Sequence, residues 1–465
     1  MLLTYKIFCD IRLEIRGIMM KGNMTQGNVS KNIIRFAIPM ILGNIFQLTY
    51  NAVDSIIVGR YAGEEALASI GTANPIMNIV MFFIIGICLG ASILMSEFFG
   101  AGDFSRLKRE VSTTIIAGGI FTIMVAMIGF MLTPLLLRMI QTPDEIIHMS
   151  SSYLRIIFVG LIFTFLYNIY AASLRSIGDS KTPIYFLIAS AILNGCLDMI
   201  FVGVMNLGVT GAAFATIIAE SLSCILCIRY VYRKIPLLQL KLNEFVFDRA
   251  LIKKTVSYSW ATAMQQTILQ IGKVLVQGAV NPLGVDSIAA FNAVNRADDF
   301  AFMPQQSIAS AMTVFIAQNR GAAKNERIKE GFRRSLIIEI VYCIILMIVM
   351  LIFARIFMGL FVTNSSSQIV ILGTTYLRYM AFFYIIPGFT NWLQGYFRGM
   401  GEMKITFYST TVQIIFRVIF VYAFIPIAGF TGIAYACLGG WIAMLLYEVP
   451  AYYRYTRKKQ SKNKA

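Results

Sequence analysis

The stretch IIRFAIPMILGNIFQLTYNAVDSIIV, residues 33–58, is an apolar run long enough to cross a bilayer. A transmembrane helix needs about 20 predominantly apolar residues. Near its far end, however, this run carries a carboxylate, Asp54. Because a charge inside hydrocarbon is costly, an ionisable residue at such a position is a candidate functional residue.

The composition of the whole chain is that of a multi-pass membrane protein. Of its 465 residues, 58% are hydrophobic and 14% are charged, whereas a soluble domain carries roughly 25% charged residues. The net charge of +17 could indicate nucleic-acid binding. The basic residues lie in short loops between apolar runs, which the positive-inside rule explains better. We therefore predict a lipid bilayer as the partner and no nucleic acid.

Apolar runs separated by charged residues, glycine or proline predict twelve transmembrane helices. Basic loops alternate with loops poor in lysine and arginine, which places both termini in the cytoplasm. The predicted helices span residues 33–58, 67–95, 111–137, 150–174, 182–204, 210–232, 255–281, 287–318, 332–361, 372–397, 406–426 and 431–452.

The two halves of the chain resemble each other. YLRIIF (153–158) matches YLRYMA (376–381), and LRSIGDSK (174–181) matches FRGMGEMK (397–404), with the same offset in both pairs. GAGDFSRLK (100–108) matches GAAKNERIK (321–329), and GVTGAAFA (208–215) matches GFTGIAYA (429–436). These two pairs also share one offset, which is close to that of the first two pairs. Because each half has six helices, the halves enter the membrane from the same side. Such parallel repeats are typical of transporters.

The repeat divides the chain into two six-helix bundles. We predict an N-lobe at 31–232, a polar cytoplasmic linker at 233–254 and a C-lobe at 255–452. A basic cytoplasmic tail at 453–465 follows. We expect residues 1–30 to form a cytoplasmic lead. The sequence from Met24 onwards resembles a natural N-terminus, so the first 23 residues are expected to be an upstream extension or part of that lead. Because the repeat is intramolecular, a monomer suffices.

Catalytic and redox chemistry are not indicated. Seven cysteines are scattered mostly through apolar runs. Cys224 and Cys227 have CxxC spacing but lie in a hydrophobic helix without a partner pair, so packing is the expected role. The single histidine, His148, excludes a multi-histidine metal site and a nucleophile–histidine arrangement. We predict neither an enzyme nor a cofactor.

Several polar residues of the first half share one depth in the extracellular-side part of the membrane. Asn194 and Asp198 are four apart and therefore lie on one face of their helix. Two carboxylates in low dielectric can share a proton, and carboxylate, amide and hydroxyl oxygens together can bind Na+. Tyr153 also has a packing alternative, because its repeat counterpart is a tyrosine. The predicted ion-coupling residues are Asp54, Asn194, Asp198, Thr216, Tyr153 and Gln47. The first four of these are also the candidate Na+ ligands. Glu220 is a further candidate for ion coupling.

The second half lacks this cluster. By the repeat offsets, its counterparts of Asp54, Asn194, Asp198 and Thr216 are Leu275, Arg417, Val421 and Cys437. It carries basic residues within its apolar runs instead. We expect Arg296 to pair with Asp299 at i,i+3, whereas Arg417 either contacts a backbone carbonyl or lines a cavity. Lys273 is the third cation of this kind.

Several motifs resemble the multidrug and toxic compound extrusion (MATE) family over residues 24–455. They are IPMILGNIFQLTYNAVDSIIVG (38–59), RSIGDSKTP (175–183), NGCLDMIF (194–201) and GVTGAAFAT (208–216). The resemblance implies an antiporter with its N-lobe cation site at the residues grouped above. Some family branches also place carboxylates in helices 7 and 10. The predicted helices 7 and 10 have none, so ion coupling is expected in the N-lobe.

The predicted function is therefore secondary active efflux by alternating access in a prokaryotic inner or plasma membrane. Amphipathic organic cations or other xenobiotics would be exchanged for H+ or Na+, with bending of helix 1 at Pro39 and Gly43. The alternative is a flippase for a lipid-linked anionic precursor, for which Lys273, Arg296 and Arg417 supply cations. The candidate cavity residues are Phe46, Met77, Phe163, Met264, Arg296, Phe302 and Arg417.

Overall fold

The computed structural model describes residues 22–361 and 368–462. This part of the chain is helical and contains no β-strand. The helices are α1 (Val29–Tyr61), α2 (Glu64–Ala101), α3 (Phe104–Met139), α4 (Asp144–Ser176), α5 (Thr182–Asp198), α6 (Gly208–Lys234), α7 (Arg249–Val280), α8 (Val285–Gly321), α9 (Asn325–Phe361), α10 (Gln368–Phe383), α11 (Ile385–Met400), α12 (Met403–Ala428) and α13 (Gly432–Lys462). A π-helix (Met199–Val204) continues α5, and short 3₁₀ turns lie at Leu242–Glu244, Asn281–Leu283 and Gly429–Thr431.

Most of the predicted membrane crossings have a long apolar helix among the described residues. Nine helical stretches are long and apolar enough to span a membrane, and α10 with α11 makes ten. One of the nine, Met403–Lys459, covers α12 and most of α13. A Cβ at Gly439 would meet Phe420, and one at Gly440 would meet Arg417, so these two helices pack as an antiparallel hairpin. With the hairpin counted as two there are eleven, and α7, at the position of the predicted seventh helix, is more polar than these. The prediction of an all-helical membrane protein is confirmed.

The observed helices extend beyond the apolar runs that predicted them. Helix α3 begins at Phe104 rather than at residue 111, because Asp103 caps it by accepting a 3.0 Å hydrogen bond from the backbone N–H of Arg106. Gly102 adopts φ 73° and ends α2 in the left-handed conformation, which a glycine adopts without steric cost. Polar helix ends therefore project past the hydrocarbon-length segment.

The predicted helix 372–397 is wrong as a continuous element. The chain bends by 49° between α10 and α11, and Tyr384 joins them. The cause is Pro387, which has no N–H to donate to the carbonyl of Phe383, four residues earlier. The break leaves Tyr384 fully buried, with its ring 5.6 Å from Phe302.

The described chain divides into two compact units. Unit 1 holds Ile38–Ala263, Ala317–Lys324 and the described residues before Asn28, and unit 2 holds Asn28–Ala37, Met264–Ile316 and Asn325 onwards. In unit 1, α4 packs against α2, α3 and α6, and α5 packs against α6. In unit 2, α9 packs against α10 and α11, and α12 against α13. Each unit has its own hydrophobic core.

The segment between α6 and α7 is held against α3. Leu238 and Leu240 are buried in the core of unit 1. Glu244 accepts a 2.9 Å hydrogen bond from the ammonium group of Lys108 and another of the same length from the backbone N–H of Lys241. These hydrogen bonds, that of the Lys241 backbone first, lower the pKa of the Glu244 carboxyl. The segment is therefore anchored by a charged carboxylate.

We expect Glu244→Gln to increase tryptic cleavage after Lys241 several-fold without changing the rest of the digest. A carboxyl whose pKa is lowered on folding stabilises the folded state above its unfolded pKa, and this contribution is lost as the pH falls through the folded pKa. Acidification should therefore release the wild-type segment too. Glu326→Gln, which removes an exposed pairing with Lys329, is the matched control. Equal cleavage in the two variants would contradict the anchoring role.

Candidate functional site

The site begins on α5, where two polar residues are withdrawn from solvent. Asn194 and Asp198 lie one turn apart and are 1% and 0% exposed. The α-helix changes into the π-helix Met199–Val204 immediately after Asp198. The π-helix is rare in proteins and is found frequently at functional sites.

Asp54 on α1 lies beside Asp198. The two carboxyl groups are close enough for a side-chain hydrogen bond. When both are ionised each is only an acceptor, so a bond between them requires a proton on one of them. In the absence of such a proton, Asp54 Oδ1, both Asp198 oxygens and the Asn194 amide have no hydrogen-bond partner although they are buried. Buried polar atoms without partners are rare and need an explanation.

Two tyrosines border this carboxyl pair. Tyr153 on α4 is 6% exposed, and Tyr50 lies one turn before Asp54 on α1. Both interact electrostatically with Asp54, Asp198 and Glu220. The three carboxyl groups therefore form one electrostatic neighbourhood inside unit 1. Tyr50 was not predicted from the sequence, although its i,i+4 spacing from Asp54 was a usable signal.

A cavity of about 220 Å³ opens beside the pair. Tyr50 and Glu220 lie on its wall, so they link it to the carboxyl pair. Glu220 accepts a short hydrogen bond from the hydroxyl group of Thr164, which joins α6 to α4. Arg175 supplies a cation on the wall. Further lining residues include Phe46, Gln47, Thr216, Asn44, Met81, Tyr167, Asn168 and Ser190.

The arrangement can bind a proton or a small hard cation. Among the residues described, no group of three or more His, Cys, Asp and Glu side chains could hold a metal ion. A cation at the pair would therefore need oxygens other than carboxylates. The Asn194 carbonyl oxygen has no partner, and carboxylate and carbonyl oxygens suit hard cations. The donor set fits H+ and Na+ alike.

The predicted ion-coupling residues fall into two groups. Asp54, Asn194, Asp198 and Tyr153 gather at the carboxyl pair, whereas Gln47 and Thr216 lie on the cavity wall. The hydroxyl group of Thr216 donates a 3.0 Å hydrogen bond to the backbone carbonyl of Ala212 in its own helix. Its oxygen lone pairs therefore stay available to a ligand.

The predicted cavity residues are more dispersed. Phe46 lines the cavity, whereas Met77 packs against the core of unit 1. Phe163 is half-buried and is not part of the cavity wall. In unit 2, Met264 is half-buried, and Phe302 packs against the core, with its ring 5.8 Å from Trp441. Whether such a residue faces the cavity or the core depends on the rotation of its helix about the helix axis, which the sequence did not define.

The predicted pair between Arg296 and Asp299 is absent from the ion pairs of the described residues. Asp299 instead lies 3.7 Å from the ammonium group of Lys273 on the preceding helix α7. Arg296 is exposed. The i,i+3 rule considers one helix alone, and here a cation on the neighbouring helix takes the carboxylate.

The sequence analysis missed Asp298, which is 8% exposed and accepts a short hydrogen bond from the hydroxyl group of Tyr384. Asp298 directly precedes Asp299, and the sequence analysis considered only Asp299, as a partner of Arg296. The predicted Arg417, by contrast, is half-buried and interacts electrostatically with Cys437, Tyr376 and Asp298. Neither of the two alternatives weighed for Arg417 included these side chains.

Comparison with known proteins places this fold and site in context. A family model described as MatE matches residues 39–200 and 261–423, one segment in each half of the repeat. The probable multidrug resistance protein YpnP of Bacillus subtilis is 28% identical over 95% of this chain and 98% of its own length. YoeA of the same organism, also described as a probable multidrug resistance protein, is 30% identical over 73% of this chain and 75% of its own length.

Solved structures show the same fold. The crystal structure of a MATE protein in complex with MaL6 superposes with a TM-score of 0.89 at 22% sequence identity. The match covers 95% of this chain and 99% of that chain. The arrangement of helices described above is thus an established one.

Proposed function

The chain belongs to the MatE family, whose members are transporters and not enzymes, and from that premise we propose that it is an ion-coupled efflux antiporter. It exports amphipathic organic cations in exchange for H+ or Na+ bound at Asp54 and Asp198. The observation that carries the proposal is the buried carboxyl pair without hydrogen-bond donors, beside a cavity that shares its electrostatic neighbourhood. The multidrug resistance names of the relatives support the substrate class.

Exchange follows from the charge of the site. Two ionised carboxylates in a low-dielectric interior repel each other and are costly to desolvate. A proton or Na+ at the pair lowers this cost, and so does an organic cation in the adjoining cavity. Tyr50 and Glu220 line the cavity and also belong to the electrostatic neighbourhood of the carboxyl pair. A cation bound at the pair therefore weakens the attraction of the cavity for an organic cation, and the reverse also holds. Binding of the coupling ion therefore favours release of the drug.

The cavity walls suit substrates that share charge and hydrophobicity rather than shape. Phe46, Met40, Met81 and Tyr167 present aromatic rings and thioethers. Aromatic faces attract organic cations, and methionine side chains repack around different ligands. We place the protein in the cytoplasmic membrane as a monomer, with both termini inside.

The proposal is tested by reconstituting the purified protein in liposomes. We expect efflux of a fluorescent organic cation to accelerate when an H+ or Na+ gradient is imposed, and to stop when that gradient is collapsed by an ionophore. A panel of structurally different cations should share the response. Gradient-independent movement of the whole panel, or none at all, would contradict the proposal.

An anionic substrate is the second candidate, because Arg175 lies on the cavity wall. A flippase for a lipid-linked anionic precursor would move a fluorescent anionic lipid between leaflets and leave the organic cations in place. Arg175→Gln would then abolish lipid movement. Under the antiporter proposal, the same variant retains gradient-driven cation efflux, since the carboxyl pair is unchanged.

A further inference from the structure

A groove of about 480 Å³ lies on unit 2, beside the part of α13 that leads into the basic tail. Its wall is formed by α13 and by Ile405 near the start of α12. None of its described lining residues belongs to the cavity beside the carboxyl pair. Leu446 on the wall is 71% exposed, so the groove opens to the outside of the protein. Ion coupling in unit 1 does not use it.

Four lining residues of α13 lie on one helical face. Tyr447, Ala451, Arg454 and Lys458 are spaced by four, three and four residues, which brings their side chains into one stripe. The short side chain of Ala451 leaves space between Tyr447 and the two basic residues. The groove is therefore a trough along the helix rather than an isolated pit.

The trough changes from apolar to basic along the helix. Leu446 lies at its apolar end, and Arg454 and Lys458 lie at its basic end. At 1.5 Å per residue, Leu446 and Lys458 are about 18 Å apart along the helix axis. The transmembrane helix predicted at 431–452 ends before the two basic residues, which places them among lipid headgroups and Leu446 among acyl chains. A phospholipid has the same order of polarity.

The charge of the basic end is not balanced by the protein. Arg454 and Lys458 are exposed, and neither takes part in an ion pair within the described part of the chain. The acidic residue of α13, Glu448, is fully buried and does not line the groove. The ligand that this end selects is therefore an anion.

We propose that the groove binds an anionic phospholipid of the cytoplasmic leaflet, with its phosphate on Arg454 and Lys458 and an acyl chain along Leu446. A guanidinium group can hold two phosphate oxygens with parallel hydrogen bonds, and the lysine ammonium adds a point charge. The hydroxyl group of Tyr447 can donate to an ester oxygen between the two ends. Basic pockets on the cytoplasmic side of membrane proteins bind anionic headgroups. Only the choice of leaflet rests on the proposed function.

Two simpler explanations fit the observations less well. A free phosphate ion would occupy the basic end and leave the apolar end of the trough unused. The positive-inside rule requires basic residues near the end of the helix, but it does not require them to converge on one groove. Arg457 meets that rule equally well, since it is exposed and does not line the groove.

The test titrates the purified protein in a nonionic detergent with lipid and follows thermal unfolding. We expect dioleoyl phosphatidylglycerol to raise the Tm by about 3 °C or more above the value in dioleoyl phosphatidylcholine. Inorganic phosphate should leave the Tm unchanged. Arg454→Gln and Lys458→Gln should each raise the half-maximal phosphatidylglycerol concentration about fivefold. Arg457→Gln, which removes the same charge outside the groove, is the matched control and should titrate as the wild type does.

A second variant separates the groove from its charge. Ala451→Trp fills the trough and keeps both cations, so the response to phosphatidylglycerol should disappear, with phosphatidylcholine as the baseline of the same variant. The inference is overturned if Ala451→Trp keeps the response, or if Arg457→Gln weakens it as much as Arg454→Gln does. An equal rise in Tm with inorganic phosphate or with phosphatidylcholine would overturn it as well. Because no ion gradient or transported cation is present, failure here is distinguishable from failure of the antiporter proposal.

Discussion

Asp54→Asn is expected to reduce gradient-driven efflux to the rate of protein-free liposomes while folded protein remains in the membrane. The substitution keeps the size of the side chain but removes the charge that a proton or Na+ must neutralise. The amide can donate to the Asp198 carboxylate, which supplies the hydrogen bond that the ionised pair lacks. The site is then permanently in a state that resembles the ion-bound one. Fluorescent-cation efflux under an imposed gradient, with thermal unfolding in parallel, measures both quantities.

Asp198→Asn should have the same effect, and the double variant should be no worse than either single variant. Residues that act as one unit show such non-additivity. Glu65→Gln, which removes an exposed carboxylate near the start of α2, is the matched control and should transport at the wild-type rate. Wild-type efflux from Asp54→Asn would show that the pair has a structural role only. A partial, additive loss would indicate two independent carboxylates.

Much of the site was predictable because depth in a membrane helix follows from sequence position alone. Once both ends of α1 and α5 were estimated, Asp54 and Asp198 had to lie at comparable depths, and i,i+4 spacing placed Asn194 next to Asp198. These arguments need the length and direction of each helix but not its rotation. The four residues at the carboxyl pair were grouped in this way.

Rotation about the helix axis could not be predicted in the same way. In a helix of a soluble protein, the polar face is exposed and the apolar face is buried, so the sequence shows which face points inward. In a membrane helix both the lipid-facing side and the protein-facing side are apolar, and this signal is lost. Met77 and Phe163 were therefore assigned to the cavity without a signal that separates the cavity wall from the core. Asp298 was missed for a related reason, because only the packed structure shows that Tyr384 faces it. The bend that brings Tyr384 there originates at Pro387.

A repeat-related contact within unit 1 also became visible only in three dimensions. The ends of α2 and α8 approach so closely that a Cβ on Gly100 would lie 1.9 Å from the carbonyl oxygen of Gln318. A Cβ on Gly321 would lie 1.9 Å from the carbonyl oxygen of Glu97. Gly100 and Glu97 are the repeat counterparts of Gly321 and Gln318, with one offset for both pairs. The two repeats thus meet through equivalent residues, and the side chain of Glu97 pairs with Arg320 at 2.5 Å.

Gly100→Ala and Gly321→Ala are each expected to lower both the stability of the protein and its rate of efflux. A Cβ at either position overlaps backbone atoms, which cannot rotate away as a side chain can. Overpacking costs roughly 1–3 kcal/mol, and since the overlap here is with backbone atoms we expect a cost above the gain of about 1 kcal/mol that alanine brings to a helix interior. A bias of 1.4 kcal/mol changes a population tenfold, so we expect efflux to fall by about that factor. Thermal unfolding and liposome efflux provide the two measurements.

Gly71→Ala on the same helix α2 separates this contact from helix propensity. A Cβ at Gly71 meets no atom within 4 Å, so alanine there should leave efflux unchanged and leave stability equal or slightly higher. If Gly100→Ala behaves like Gly71→Ala, the close approach does not matter for the protein. If Gly100→Ala lowers stability but efflux per folded molecule stays at the wild-type level, the contact supports folding and has no part in transport. If Gly100→Ala lowers both stability and efflux per folded molecule while Gly71→Ala changes neither, the transport cycle depends on the close backbone contact between the ends of α2 and α8.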